Sequence, residues 1–221
     1  PDFVRSRYSK QRMKGPRADA VEAWLTANES APAEVTWAVL SLSSLSAQRA
    51  ESVLSNAAYW QGIAGKAAYA SFVESQVFKR IMGAANEAEL AVALEFAKLH
   101  GGPDMDLNQV QAQWASRKKE WGHLLGLLES DWGSKLELPQ LNSMLWPIAE
   151  TEGVDPTVAQ RAVRLIAAQM KGSVDPSYRD TYAWLLFRAG KKSDAKAQAK
   201  QAIAESGGKL DSSEELLTKL K

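Results

Sequence analysis

The amino-acid sequence predicts an all-α fold, an array of antiparallel helical hairpins. Three observations carry this. No stretch sustains the period-two alternation with β-branched residues that a half-buried strand shows. Apolar residues instead recur at helical spacing through most of the chain. Asp-Pro pairs, glycines and an Asn/Glu capping pattern then cut that periodicity into short segments that must fold back on one another.

The plainest hairpin is Asp180 to Ala204. Tyr182, Leu185, Leu186 and Ala189 fall at i, i+3, i+4 and i+7, one apolar helix face. Gly190 stands where a C-cap wants positive φ. Ala195, Ala199, Ala202 and Ile203 form the facing stripe, and their small side chains let two backbones approach closely. Lys192, Lys196 and Lys200 recur every four residues as a solvated face.

Earlier elements follow in order. Pro1 to Asp19 is a basic lead-in, with six Lys or Arg against Asp2 and Asp19, and with Phe3, Val4 and Tyr8 as anchors. A nucleic-acid arm needs interleaved stacking aromatics and a continuing basic face; the rest of the chain is slightly acidic, so a docked, partly helical lead-in is expected. Helices are predicted over Arg17–Asn28, after Pro32 along Val35, Val39, Leu42 and Leu45, over Ala47–Tyr59, and along Phe72 to Met82 with Gly83 as terminator. The serines at 41, 43, 44 and 46 place the second helix end near Leu45. Tyr59 to Lys66 has two glycines three apart and then lysine, which is not phosphate-loop spacing. It reads as a loose helix or turn around Trp60.

Asn86 with Glu89 forms a capping box. In the helix it opens, Leu90, Ala93, Leu94 and Ala97 share one face, and Val92, Phe96 and Leu99 another, so burial on two sides is expected. Gly101-Gly102-Pro103 ends it. Asp104 and Asp106 lead into a heptad-like stripe of Leu107, Val110, Trp114, Trp121, Leu125 and Leu128, interrupted at Arg117-Lys118-Lys119. Gly122 and Gly126, four apart, suggest close packing or a bend. Asp131 to Ser134 reads as a turn and Leu136 to Pro139 as an extended connector. Leu141 to Ile148 reads as a helix kinked or restarted at Pro147. Asp155-Pro156 and Asp175-Pro176 each supply an N-cap followed by proline at N1; the first of these helices runs to Lys171-Gly172. Asp211 opens a last helix with Leu216, Leu217 and Leu220.

The chain has 221 residues, an apolar fraction of 45%, a net charge of +1 and no cysteine. The charge gives no general attraction to nucleic acid or membrane. The missing cysteines exclude disulfides, thiolate metal sites and a redox CxxC within these residues. No apolar run approaches the ~20 residues of a membrane helix, and no signal peptide is visible. The start at Pro1 suggests a processed product or an excised piece. His100 fits a helix-dipole contact in a last turn. His123 has no partner at metalloprotease spacing. No catalytic, cofactor-binding or metal-binding residues are therefore assigned, no cofactor is expected, and the chain reads as not an enzyme. Trp24, Trp60, Trp114, Trp121 and Trp184 are expected in the core.

The hairpin resembles a tetratricopeptide (TPR) unit, a 34-residue helical repeat. Ala183, Gly190, Ala195 and Ala202 match its small positions and Leu186 a large one, while Ala199 replaces a bulky residue and Gly207 stands near the usual proline. Residues 141–171 look like an earlier degenerate copy, with Ala162 against Ala195. More broadly, the chain resembles the helical region that follows a thioredoxin-like domain in bacterial envelope proteins. The residues concerned are the basic lead-in with Ala20-Val-Glu-Ala-Trp-Leu25, Trp60 with Ser75-Gln-Val-Phe78, Leu141-Asn-Ser-Met-Leu-Trp146, and Asp180-Thr-Tyr-Ala-Trp184. Two parts are expected, residues 1–136 helical and residues 137–221 TPR-like, or else one continuous helical domain. The resemblance implies a non-catalytic helical scaffold or protein-interaction module of a thioredoxin-like bacterial protein, in the periplasm or cell envelope. Its partner would be a protein, a peptide or an attached thioredoxin-like domain, with no nucleic acid and no membrane insertion. The alternative is an independent TPR-like adaptor that binds peptides.

Overall fold

A computed structural model describes residues 18–42, 45–102, 105–170 and 175–221. The lead-in up to Arg17, Ser43, Ser44, Pro103, Asp104 and the Lys171-Gly172 stop lie outside the described residues. Among the described residues there are thirteen α-helices and no strand, so the all-α array stands. The chain forms two compact units, one ending at Met105 and one beginning at Asp106. The boundary expected after residue 136 falls inside the second unit.

The first unit holds α1 (Ala18–Ala27), α2 (Ala33–Leu42), α3 (Ala47–Ser55), α4 (Ala57–Ala64), α5 (Lys66–Gly83) and α6 (Glu87–His100). Its centre is aromatic. The Trp37 ring lies 5.3 Å from Phe72, 5.8 Å from Trp60 and 6.2 Å from Tyr69, centroid to centroid. This cluster rotates α2 away from the expected stripe: Trp37 and Leu40 are buried, whereas Leu42 is 45% exposed and the helix ends there rather than at Leu45. The larger aromatic surface wins the core position. The helix expected over Ala47–Tyr59 breaks at Asn56, and of the two readings of Tyr59 to Lys66, loose helix or turn, the helical one holds as far as Ala64. Gly65, at φ 81°, separates it from α5.

α6 starts as its capping pattern predicts, with the Glu89 N–H donating to Asn86 Oδ1 at 3.0 Å and the Glu89 carboxylate accepting from the Ala85 N–H. It is not buried on two sides. Leu90, Ala93, Phe96 and Ala97 face the unit's interior, and the Arg80 guanidinium sits 3.6 Å over the Phe96 ring. Val92 and Leu99 are 70% and 80% exposed. One packing partner, α5, is enough to cover one stripe only.

The second unit is a stack of three hairpins closed by one helix: α7 (Leu107–Lys118) with α8 (Trp121–Leu128), α9 (Leu138–Glu150) with α10 (Pro156–Gln169), α11 (Pro176–Arg188) with α12 (Lys192–Glu205), and α13 (Asp211–Lys219). Within each hairpin the two helices pack together; α7 also packs on α9, α9 on α11, and α11 on α13. The heptad-like stripe is split because Lys119 adopts φ 61°. Its N–H donates to Ser116 O and the next N–H, of Glu120, to Ala115 O, a Schellman cap. Gly190 and Gly207, at φ 79° and 78°, close α11 and α12 with the same bond pattern. Gly122 and Gly126 are exposed, and a Cβ at either would meet nothing within 4 Å, so neither marks close packing.

The extended connector expected over Leu136 to Pro139 is confined to Leu136 and Glu137, whose backbone is extended. α9 begins at Leu138, with Glu137 and Gln140 forming a capping box and Pro139 in the first turn, and it runs through Pro147 without a break. The carbonyl left without a donor there, that of exposed Ser143, lies on the solvent side. A 3₁₀ turn, Gly133–Lys135, joins α8 to α9. At Gly133 a Cβ would lie 2.0 Å from Leu128 O, so only glycine lets these segments meet. Of the five tryptophans expected in the core, Trp114 and Trp184 are buried and Trp24, Trp60 and Trp121 are half-buried.

Ala195, Ala199 and Ala202 are all fully buried, and Lys196 is exposed. Ala195→Leu should therefore cost ~1–3 kcal/mol through overpacking, whereas Lys196→Leu should shift stability by about 0.5 kcal/mol or less. Urea midpoints of the two variants should separate clearly. In the same measurement Gly133→Ala should destabilise by at least ~2 kcal/mol, because backbone must move; an unchanged midpoint would mean that the turn relaxes freely.

Candidate binding surface

The surface of interest is formed by the alternate helices α7, α9, α11 and α13. A groove of about 480 Å³ runs between α7 and α9, closed at one end by Trp132 and Leu136. Along α7, Gln109, Gln113 and Arg117 recur at i, i+4 and i+8 on its edge. Among the described residues, none of these three head groups has a hydrogen bond or ion pair. Opposite them stand Ser143 and Met144 of α9. The Trp132 ring is fixed by its indole N–H, which donates to Asp106 Oδ2 at 2.9 Å. Asp106 also caps α7, accepting from the Gln109 N–H at 3.0 Å. One carboxylate thus sets both the helix start and the aromatic end wall.

The second depression, about 200 Å³, lies between α9, α11 and α13. Each helix contributes residues four apart: Trp146 and Glu150, Trp184 and Arg188, Glu215 and Lys219. Arg188 spans from α11 to the end of α9, donating to Ala149 O at 2.9 Å and Glu150 O at 3.3 Å. The Trp184 indole N–H donates to Ser212 Oγ at 2.7 Å, which locks the ring against the start of α13.

The depression depends on the placement of α11, whose buried residues include Arg179, Asp180 and Thr181. Each has an internal partner. Arg179 donates to Glu205 at 2.7 Å and Gln198 at 2.9 Å, Thr181 to Ser177 O, and Asp180 accepts from the Ser213 hydroxyl. The Arg179 hydrogen bond holds the Glu205 carboxyl below the usual range. Burial pushes the Asp180 carboxyl up from its ordinary 3.8, opposed by the bonds from Ser213 and Ser212.

The sequence assigned no catalytic, cofactor or metal residues. His100 lies on the Phe96 ring, centroids 4.5 Å apart, and His123 packs edge-on to Trp114. Among the described residues no three His, Asp or Glu side chains gather into a metal site, and no helix is long and apolar enough to cross a membrane. Sequence reasoning missed the Gln109, Gln113 and Arg117 row, although the four-residue spacing was there to be read. It also missed the Trp146, Glu150, Glu215 and Lys219 grouping, which has no local signal because three helices supply it. No protein-family model, curated protein or solved structure matches the chain. Fold and surface together define a class only: an all-α array of stacked hairpins with an open, amide-lined groove.

Because the folded-state pKa of Asp180 is raised, the protonated form favours folding. That contribution is fully present below about pH 3.8 and is lost as pH rises through the folded pKa. Asp180→Asn removes it. The stability of the native chain relative to this variant should fall as pH rises above 3.8, measured as the difference in urea midpoints across the acid range. A difference that rises with pH would reverse the assignment.

Proposed function

We propose that this protein is a non-catalytic helical interaction module whose groove between α7 and α9 receives an extended peptide segment. The row of Gln109, Gln113 and Arg117 carries the reading. Residues four apart on a helix are separated by about 6 Å along its axis. Residues two apart in an extended chain are separated by about 6.6 Å. A glutamine head presents one acceptor and two donors, which match the C=O and N–H of a peptide unit. Successive heads on α7 therefore meet successive same-side peptide units of an extended ligand, while Trp132, Leu136 and Met144 offer apolar contact to its side chains. Helical-repeat proteins use such surfaces for peptide recognition, and the TPR-like reading of α9 to α12 supports the same use here.

The resemblance to the helical region of thioredoxin-like bacterial envelope proteins gives this module a proposed setting beside such a domain, in the periplasm or envelope. The matching residues Leu141, Leu145, Ala183 and Trp184 are core residues. They support a shared packing scheme, with the partner left to the groove.

Ser143→Arg should test the reading, because it fills the groove from an exposed position and leaves the core intact. Peptides selected from an unstructured display library on the native chain should bind the variant at least about tenfold more weakly, a loss of ~1.4 kcal/mol, with unchanged circular dichroism. Equal binding of every selected peptide to both chains would defeat the groove as the site.

A further inference from the structure

The depression between α9, α11 and α13 carries a second inference, independent of the groove. We propose that it is a receptor for a lysine or arginine side chain of a partner polypeptide, and that Lys219 is its built-in occupant. The charge count points to a cation. Glu150, Glu152 and Glu215 line the depression against Arg188 and Lys219, leaving one negative charge in excess. The Glu150 carboxylate has no ion pair or hydrogen-bond partner among the described residues. The aromatic floor points the same way: an ammonium or guanidinium is attracted to an indole face within about 6 Å. Lys219 Nζ already stands 5.6 Å from the Trp184 ring centroid, and Arg188 Cζ stands 5.2 Å from it.

The two resident cations are held differently. Arg188 is fixed by two backbone carbonyls at the end of α9. Lys219 is held by Glu215 at 3.2 Å and Glu152 at 3.4 Å, through side chains that are 61% and 79% exposed. Exposed pairs of that kind are weak. Lys219 also sits at the last turn of the last helix, so its stem can swing into water without disturbing the core. A partner's cation would replace it over Trp184, and Glu150 would complete the pairing. Lys219 thus competes with the ligand and reduces its apparent affinity by the fraction of time it occupies the site.

The test is a titration of the full chain with a capped pentapeptide carrying one lysine among glycines, followed by the indole N–H resonances of Trp146 and Trp184. The expected result is saturable shifts of both signals, and none with the norleucine counterpart. Lys219→Met should tighten binding about two- to five-fold, the range an exposed pair allows, and Glu150→Gln should weaken it. Both substitutions are on the surface, and circular dichroism should confirm an unchanged fold. Equal binding of the norleucine peptide would make this an apolar pocket and overturn the proposal. Preference for a glutamate peptide would make it an anion site and overturn it equally, as would unchanged affinity in Lys219→Met. Ser143→Arg, which blocks the groove, should leave lysine-peptide binding intact, so failure of one site is read separately from failure of the other.

Discussion

α11 is sheathed by its neighbours, packing on α9, α10, α12 and α13, and the second unit depends on that sheath being chemically complete. A helix buried on nearly every side is normally apolar all round. This one carries Arg179 and Asp180, at 8% and 5% exposure, in its first turns. Burying them without partners would cost several kcal/mol each. The partners come from the elements that close around α11: Glu205 and Gln198 from α12, Ser213 from α13. The same bonds that make burial tolerable specify which neighbours lie where. Asp180 with Ser213 fixes α13 across α11, and that placement brings Glu215 and Lys219 over Trp184.

How much of this was legible depended on the range of the cause. Caps and hairpins are local. Asp155-Pro156, Asp175-Pro176, Asn86 with Glu89 and Gly190 could be read because each is a bond pattern within six residues. The α9 start was equally local, a Glu137/Gln140 box with Pro139, yet it was obscured by Leu-Glu-Leu-Pro looking extended. The failures at α2 and α6 are different. Both helices offer two candidate apolar faces, and only the tertiary partner chooses between them. Trp37 wins at α2 because Trp60, Tyr69 and Phe72 converge on it. Val92 and Leu99 lose at α6 because none of the described helices of the first unit covers them.

The two depressions illustrate the same distinction. Gln109, Gln113 and Arg117 lie on one helix, so their spacing was visible, but that their head groups have no partner among the described residues was not. Trp146, Trp184 and Lys219 come from three helices, and their convergence is a property of the stack. The tryptophans expected to form core therefore divide in role. Trp114 is wholly interior, whereas Trp184 is buried with one face toward a small charged depression.

The hairpin stack also has a consequence for how the chain acquires its structure. In the second unit each helix touches chiefly the next one or the one after. Such short sequence separations mean a low contact order, and loop closure then costs little at each step. The hairpins can form in chain order as a ribosome releases them. α11 is the exception, because its polar side chains have no complete set of partners until α12 and α13 follow. Its carboxylate and guanidinium keep the unfinished helix hydrated in that interval, which lowers the risk that an apolar surface of the same size would recruit another nascent chain. Arg179 and Asp180, buried in the finished fold, are thus charged, water-facing groups for as long as α12 and α13 have not closed over them.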